Sequence, residues 1–314
     1  MVKLSVIVPV YNESESIIPL YSEILDEIKL LKKNKKITNY EIIFVNDGSR
    51  DNSSNLLSEL SQKDKNVKFI DLRKNFGQTP ALKAGFDNCS GDLIVTLDGD
   101  LQNDPKDISS LIAKLSEGYD VVSGWRFNRK DKFFKRISSK MMNFLRKKLI
   151  GDQLHDYGCS LKIYKRECLN DMELFGELHR YITAYLFIRG YKIGEIKVNH
   201  RQRKFGKTKY GFRRGINGIL DLFYLKFWAT YSNRPLHFFG RLGIYQWVLA
   251  VIILFEQIIK SFVLGVLSLG PLLMLSAVLG LTGLLFIIFG FLSEIITRSY
   301  FSTKQIYSIK KITN

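Results

Sequence analysis

The chain has 314 residues, of which 46% are hydrophobic and 13% aromatic, enough for a large packed core and unlike a disordered protein. Its formal charge of +17 is concentrated: ten Lys/Arg and one acid lie between Arg126 and Lys148, and eight and none between Lys197 and Arg214. Such a charge on a soluble protein would suggest nucleic acid, but the C-terminal third is uncharged from Leu242 to Phe255 and from Ser261 to Ser293, which points instead to a membrane surface.

The N-terminal "MVKLSVIVPVY" has too short an apolar run for a signal peptide and reads as a strand. "LSVIVPV" (4–10), "YEIIFVN" (40–46), "VKFIDL" (67–72), "DLIVTLD" (92–98) and "YDVVSGW" (119–125) are predicted strands buried on both faces. Amphipathic helical patterns at 15–33 and 104–118 lie between them, the second opened by Asp104-Pro105 and closed by Gly118. Strands alternating with helices predict an α/β fold with a doubly wound, mainly parallel sheet, in which ligands bind beyond the carboxyl ends of the strands. "YNE", "NDGSRD" and "DGD" follow the first, second and fourth strands at such ends. Neither G-x-G-x-x-G nor G-x-x-x-x-G-K-[ST] follows a strand, so any phosphate must be held in another way.

Further along, "DKFFKRISSKMMNFLRKKLI" (131–150) is basic and amphipathic, as an interfacial helix would be, and 209–231 has the same character. Two apolar helices are predicted at about 238–263 and 271–293, separated by "LGP". Two buried core helices would be the soluble alternative, but 33 uncharged residues are hard to cover with a chain of 314. Basic residues before the first span, and Arg298, Lys304, Lys310 and Lys311 after the second, predict a membrane hairpin with both ends cytoplasmic. Cys89, Cys159 and Cys168 have no zinc spacing and are odd in number, as free thiols in a reducing compartment would be.

"SVIVPVYNESESI", "FVNDGSRDNS", "NFGQTPALKAGFDNCSGDLIVTLDGDLQNDP", "HDYGCSLKIYKRE" and "NHRQRKFGKTKYG", in that order, resemble the family-2 inverting glycosyltransferases. Within that family the chain is most similar to the polyprenyl-phosphate glycosyltransferases. The resemblance spans essentially the whole chain and implies an A-type glycosyltransferase fold. It implies a catalytic domain over 1–208, a juxtamembrane helix over 209–235, two membrane helices within 236–297 and a tail over 298–314. The implied reaction moves a sugar from a UDP- or GDP-linked donor to undecaprenyl or dolichyl phosphate at the cytoplasmic membrane face.

Site assignments follow from the matching motifs. Asp98 and Asp100 are costly at a strand end without a positive partner, and Mg²⁺ or Mn²⁺ bridging the donor diphosphate meets that need. Gln102 adds an amide oxygen, as the D-x-D-x-Q pattern implies. Pro9, Tyr11, Glu13, Asp47, Lys83, Asp98 and Arg203 are the implied nucleotide-sugar contacts, with "NFGQ" (75–78) beside them and Lys209 as an alternative to Arg203. Arg126, Lys135, Arg136 and Ser139 are assigned to the acceptor phosphate, and Asp156 with Asp100 to the reacting centre. Asp156 either orients sugar or acceptor or serves as a nominal base. A phosphate monoester has a second pKa of roughly 6, so the acceptor oxygen is already a nucleophile at neutral pH.

Two other readings compete. Processive polysaccharide synthases share the N-terminal motifs but carry Q-x-x-R-W, and none of Trp125, Trp228 and Trp247 lies in one. A non-catalytic membrane sensor of nucleotide-sugars would tolerate loss of the acidic pair, which is intact. No nucleic-acid partner is expected. The sugar, the base, the polyprenol and the presence of a homo-oligomer are left open.

Overall fold

The computed structural model describes residues 2–127, 150–151, 154–170, 172, 174, 176–203, 220, 223–228, 230–232, 234–265 and 270–301. The chain divides into two compact units, Met1–Phe223 and Tyr224–Asn314. The interfacial-helix segment 131–149, with Lys135, Arg136 and Ser139, lies outside the described residues, as does the whole 204–219 stretch, Lys209 included.

The first unit is built on a seven-stranded sheet of order β3-β2-β1-β4-β6-β5-β7. Its strands are β1 (Lys3–Val10), β2 (Asn39–Asn46), β3 (Val67–Asp71), β4 (Leu93–Thr96), β5 (Val121–Trp125), β6 (Lys162–Lys165) and β7 (Ile193–Lys197). The helices are α1 (Ser14–Lys33), α2 (Ser53–Lys63), α3 (Gln78–Asp87), α4 (Ile108–Leu115), α5 (Glu167–Asn170) and α6 (Ile182–Ile188). β1, β2, β3 and β4 run parallel, as the apolar runs predict, and so do β5 and β7. β6 lies antiparallel between β4 and β5, in register Thr96↔Lys162 and Ser123↔Lys162.

Alternation along β1 sends its side chains to two cores. Leu4, Val6, Val8 and Val10 join Ile17, Leu20, Ile24 and Ile28 of α1 and Leu111 and Leu115 of α4 in one continuous cluster. On the opposite face Gly85 of α3 lies so close to Ile7 that a side chain there would overlap it. β1 sits between β2 and β4, while the chain runs first to β2 and β3 and only then to β4. The reversal at β1/β4 is the switch point where such sheets open a crevice. Because β6 is antiparallel, its first residue, Lys162, lies at the carboxyl edge beside the end of β4, and the 154–161 loop is delivered to the same crevice.

In the second unit α7 (Pro235–Leu264) and α8 (Pro271–Phe301) are each long and apolar enough to cross a bilayer, with mean hydropathy 1.9 and 2.6 over their spans. The second helix continues further than its predicted end near 293. A Cβ on Gly243 would stand 2.5 Å from the Gly283 carbonyl oxygen, and one on Gly283 would stand 2.8 Å from that of Gly243, so the helices meet backbone to backbone. Large apolar side chains such as Ile252, Phe262, Leu281 and Phe289 are exposed around the pair. All three cysteines are free and buried, in keeping with the reading from sequence.

Gly48, in the turn after β2, has φ +65° and lies under the backbone of Lys74 and Asn75 with no room for a Cβ. Gly48→Ala combines left-handed strain with overpacking, and a loss of about 2–4 kcal/mol is expected. Thermal melts of the detergent-solubilised chain measure it, as a midpoint several degrees below wild type.

Candidate active site

The loops after β1 and β2 are tied together by short polar side chains. The Asn12 N–H donates to Ser49 Oγ (2.9 Å), the Arg50 N–H to Asn12 Oδ1 (2.7 Å), and the Glu13 N–H to Ser53 Oγ (3.1 Å). Asn12 takes φ 53°, a conformation Asn tolerates better than most residues. Asp47 is buried, and its carboxylate accepts from the N–H groups of Phe76 (2.7 Å) and Gly77 (2.9 Å). Burial pushes its carboxyl above the usual range, against the two N–H groups that favour the ionised form. Asp47 therefore anchors the "NFGQ" segment to the end of β2.

That segment goes on to touch the acidic pair. Gln78 donates from Nε2 to Asp98 Oδ1 at 2.8 Å, and the neighbouring Thr79 hydroxyl lies 2.7 Å from His179 Nδ1. Burial, then the charges of Arg180 and Lys162, pull His179 down to about 3, so its ring is neutral. Asp98 is pushed up to about 6, first by burial and then by the charge of Asp100, while Arg126 and Lys162 act in the other direction. Asp100 is buried; its Oδ1 accepts from the Gln102 N–H (3.1 Å), and its Oδ2 accepts from Arg203 Nη2 at 2.7 Å. The same guanidinium lies 3.5 Å from Glu13 Oε1. Arg203 thus joins the ends of β1 and β4, on two carboxylates that the sequence assigns to donor and metal.

Beyond β5, Arg126 and Asp156 form a two-pronged ion pair, Nε–Oδ2 at 2.7 Å and Nη2–Oδ1 at 2.9 Å, reinforced by the Arg126 N–H at 3.2 Å. Only 12% and 15% of these side chains are exposed. Burial alone would raise the Asp156 carboxyl, but Arg126 outweighs it and holds Asp156 at about 2; the guanidinium is correspondingly raised. A carboxylate so acidic and so fully paired is a poor proton acceptor near neutrality and a good brace for a cation.

Of the sequence-assigned residues, Pro9, Tyr11, Glu13, Asp47, Asp98, Asp100, Gln102, Arg126, Asp156 and Arg203 all lie at the carboxyl edge or in loops leaving it. Gln102 Nε2 lies 3.5 Å from the Arg201 carbonyl oxygen. Lys83 stands apart: it pairs with Asp87 one turn along α3 and lines a small hollow with Phe86, Arg166 and Leu169. Motif reading missed Lys162, which is 3% exposed and donates to the carbonyls of Tyr157 and Cys159. It also missed Ser160, whose hydroxyl accepts from Asn103 Nδ2 (2.7 Å) and whose carbonyl accepts from the Thr96 hydroxyl (2.7 Å). A lysine in the apolar run "LKIY" was the available signal.

Among the described residues no three His, Cys, Asp or Glu side chains converge as a complete protein-made metal shell. The two carboxylates at the end of β4 are a donor set that Mg²⁺ or Mn²⁺ accepts when water and substrate phosphate fill the other positions. Asp98 is raised first by burial and then by the charge of Asp100, and a bound cation would offset both, so the residues present fit such an ion.

Comparison with known proteins identifies the family and the fold. Residues 5–172 match the family described as Glycosyl transferase family 2. Over 305 residues the chain is 40% identical to a dodecaprenyl-phosphate galacturonate synthase of Rhizobium johnstonii (strain DSM 114642 / LMG 32736 / 3841), covering 95% of this chain and 89% of the relative. Among solved structures it is similar in fold to glucosyl-3-phosphoglycerate synthase from Mycobacterium tuberculosis. A complex of that enzyme with Mn²⁺ and UDP-glucose superimposes with TM-score 0.52 at 18% identity, covering 72% of this chain and 79% of the other. A complex with Mn²⁺, UDP-glucose and phosphoglyceric acid gives 0.53 at 16%, covering 72% and 80%.

The two acids should leave opposite pH signatures in melts of the solubilised, metal-chelated chain. Asp98 is raised above its unfolded value of 3.8, so its ionised form weakens the fold above about pH 6 and the penalty disappears as pH falls to 3.8. Asp98→Asn should therefore melt higher than wild type at pH 8 and equal to it near pH 4. Asp156 is depressed from 3.8 to about 2, so its contribution is full above 3.8 and is lost as pH falls towards 2. Arg126→Met strands that carboxylate and should cost about 3–5 kcal/mol at pH 7. Burial without Arg126 raises the stranded carboxyl above 3.8, so the deficit should begin to shrink above pH 4 and continue to fall as pH drops towards 2.

Proposed function

Since the chain belongs to glycosyl transferase family 2, we propose that it moves one sugar from a nucleotide-sugar to a polyprenyl phosphate, with inversion at the anomeric carbon. The observation that carries this reading is the end of β4: an acidic pair, with Asp100 buried, flanked on one side by the β1 and β2 loops and on the other by the Arg126–Asp156 brace. One side suits a nucleotide diphosphate and the other suits the phosphate of an acceptor. The relative's product, a dodecaprenyl-phosphate galacturonate, supports the lipid phosphate as acceptor and makes a nucleotide-linked uronic acid the first donor to test.

In this reading the Asp47 turn, Tyr11 and Glu13 hold the base and ribose, and Arg203 meets the diphosphate. Arg126, fixed by Asp156, receives the acceptor phosphate. An unesterified oxygen of that phosphate attacks the anomeric carbon from the face opposite the leaving group. The bond from carbon to the diphosphate oxygen breaks, and its electron pair leaves with the nucleoside diphosphate. The nucleophile is an oxyanion and carries no proton to remove, so positioning two anions against their mutual repulsion is the main task. A divalent cation held by Asp98 and Asp100, with Gln102 beside them, would neutralise charge on the leaving diphosphate. The α7–α8 pair would anchor the chain in a cell membrane with the catalytic unit and both termini cytoplasmic, supported by the basic residues flanking the spans. Lys135, Arg136 and Ser139 remain acceptor-side assignments from the sequence.

The test is incubation of the purified chain, in vesicles containing polyprenyl phosphate, with a panel of labelled UDP- and GDP-sugars, followed by mass spectrometry of the lipid. A single glycolipid is expected from one donor, with activity abolished by EDTA and restored by Mg²⁺ or Mn²⁺. Asp100→Asn should reduce turnover at least about 100-fold while leaving the chain folded. No glycolipid from any donor, or full activity in EDTA, overturns the reading.

A further inference from the structure

Asp156 is held by a residue outside every motif that led to the site. Glu195 lies on β7, with its side chain 10% exposed. Its Oε1 accepts from the backbone N–H groups of His155 (2.9 Å) and Asp156 (3.0 Å). Its Oε2 lies 2.7 Å from His155 Nδ1 and 3.1 Å from the His155 N–H. Two consecutive N–H groups aimed at one carboxylate form an anion nest, here filled by the protein's own side chain. The His155 ring stacks on Trp125, with centroids 4.2 Å apart and planes 14° from parallel. Trp125 immediately precedes Arg126, and Asp156 immediately follows His155. Both halves of the ion pair are therefore fixed through their sequence neighbours to one assembly, whose anchor is Glu195.

The rest of the loop is secured differently. Lys162 binds the carbonyls of Tyr157 and Cys159, and Thr96 and Asn103 hold Ser160. These contacts fix the downstream half of the loop, residues 157–160, and leave the His155 and Asp156 amides to Glu195. β7 pairs with β5 in register Ser123↔Glu195 and Trp125↔Lys197, which sets the carboxylate beneath the loop without any movement of the sheet. Asp156 meets Arg126 in a fork, whose hydrogen bonds depend on angle as well as distance. A small rotation of the 155–156 backbone would keep the charges close and lose that geometry.

We propose that Glu195 is a positioning residue for sugar transfer: by binding the amides of His155 and Asp156 it aims the Asp156–Arg126 fork that receives the acceptor phosphate. This rests on the reading under Proposed function, and the role ascribed to Glu195 is distinct from that of any donor contact.

The experiment compares wild type, Glu195→Ala and Glu195→Gln as full chains in vesicles with polyprenyl phosphate. Glu195→Ala should lower kcat about ten- to 100-fold, the scale of a misplacement near 1 Å, with KM for the nucleotide-sugar within about twofold of wild type. Glu195→Gln keeps one acceptor oxygen for the two amides and should recover most of the rate. Hydrogen exchange at 154–157 should accelerate in the alanine variant and not in the glutamine variant, while β1 and β2 stay protected. Unchanged exchange at 154–157, or an unaltered kcat per folded molecule, overturns the proposal. A rise in donor KM equal to the fall in kcat/KM does the same, since it would make Glu195 part of the donor site. If wild type itself forms no glycolipid, the functional reading is what has failed, and the exchange measurement still decides whether Glu195 holds the loop.

Discussion

Keeping Asp98 ionised beside the charge of Asp100, just past the end of a buried strand, is the constraint the sheet edge is arranged around. Burial and mutual repulsion both oppose it, and the raised Asp98 carboxyl is the visible result. The surroundings answer with fixed cations. Arg203 lies on Asp100, and Arg126 and the buried Lys162 stand near enough to act on Asp98. Acids are answered in turn: Asp156 holds Arg126, and Glu13 shares Arg203. The edge is a lattice of alternating charge, and it suits ligands that are themselves anions bridged by a cation.

The position of this lattice follows from topology more than from any single contact. The reversal between β1 and β4 opens the crevice, and the parallel strands deliver the NDGS turn and the acidic pair to it. The antiparallel β6 brings a loop from the other direction, so residues far apart in sequence share one edge. Hydrogen bonds then couple neighbouring parts of the site. Asp47 binds the segment that carries Gln78, and Gln78 binds Asp98, so the β2 turn and the β4 end cannot shift independently. Coupling of that kind limits motion where reacting groups must be held to fractions of an ångström.

How much of this was readable in the sequence differs between the halves of the catalytic unit. β1 to β5 are apolar runs closed by turn residues, and such runs announce buried parallel strands. β6 and β7 read "KIYK" and "IGEIK"; with charges at every second or third position they gave no such signal, and only the sheet shows that Lys162 and Glu195 face protein. The assigned residues at the ends of β1, β2 and β4 are adjacent to their strands, so locating the strands located them. Arg126 and Asp156 were named by motif position, but their pairing is tertiary and could not be read from spacing. Lys83 shows the converse: its place in a motif did not carry it to the edge, because one helical turn rotates it onto Asp87.

The placement of β6 also bears on how proteins of this architecture diversify. β5 and β6 are adjacent and antiparallel, so the chain between Arg126 and Leu161 departs and returns within one strand spacing, about 4.8 Å. Topologically that stretch is a long hairpin excursion whose two stems are stapled by the Arg126–Asp156 pair. Insertion between the two stems leaves the sheet order unchanged, while the returning stem stays tied to β4 through Ser160 and to the core through Cys159 and Leu161. Selection can therefore vary the length and chemistry of that excursion while inheriting the sheet that carries it.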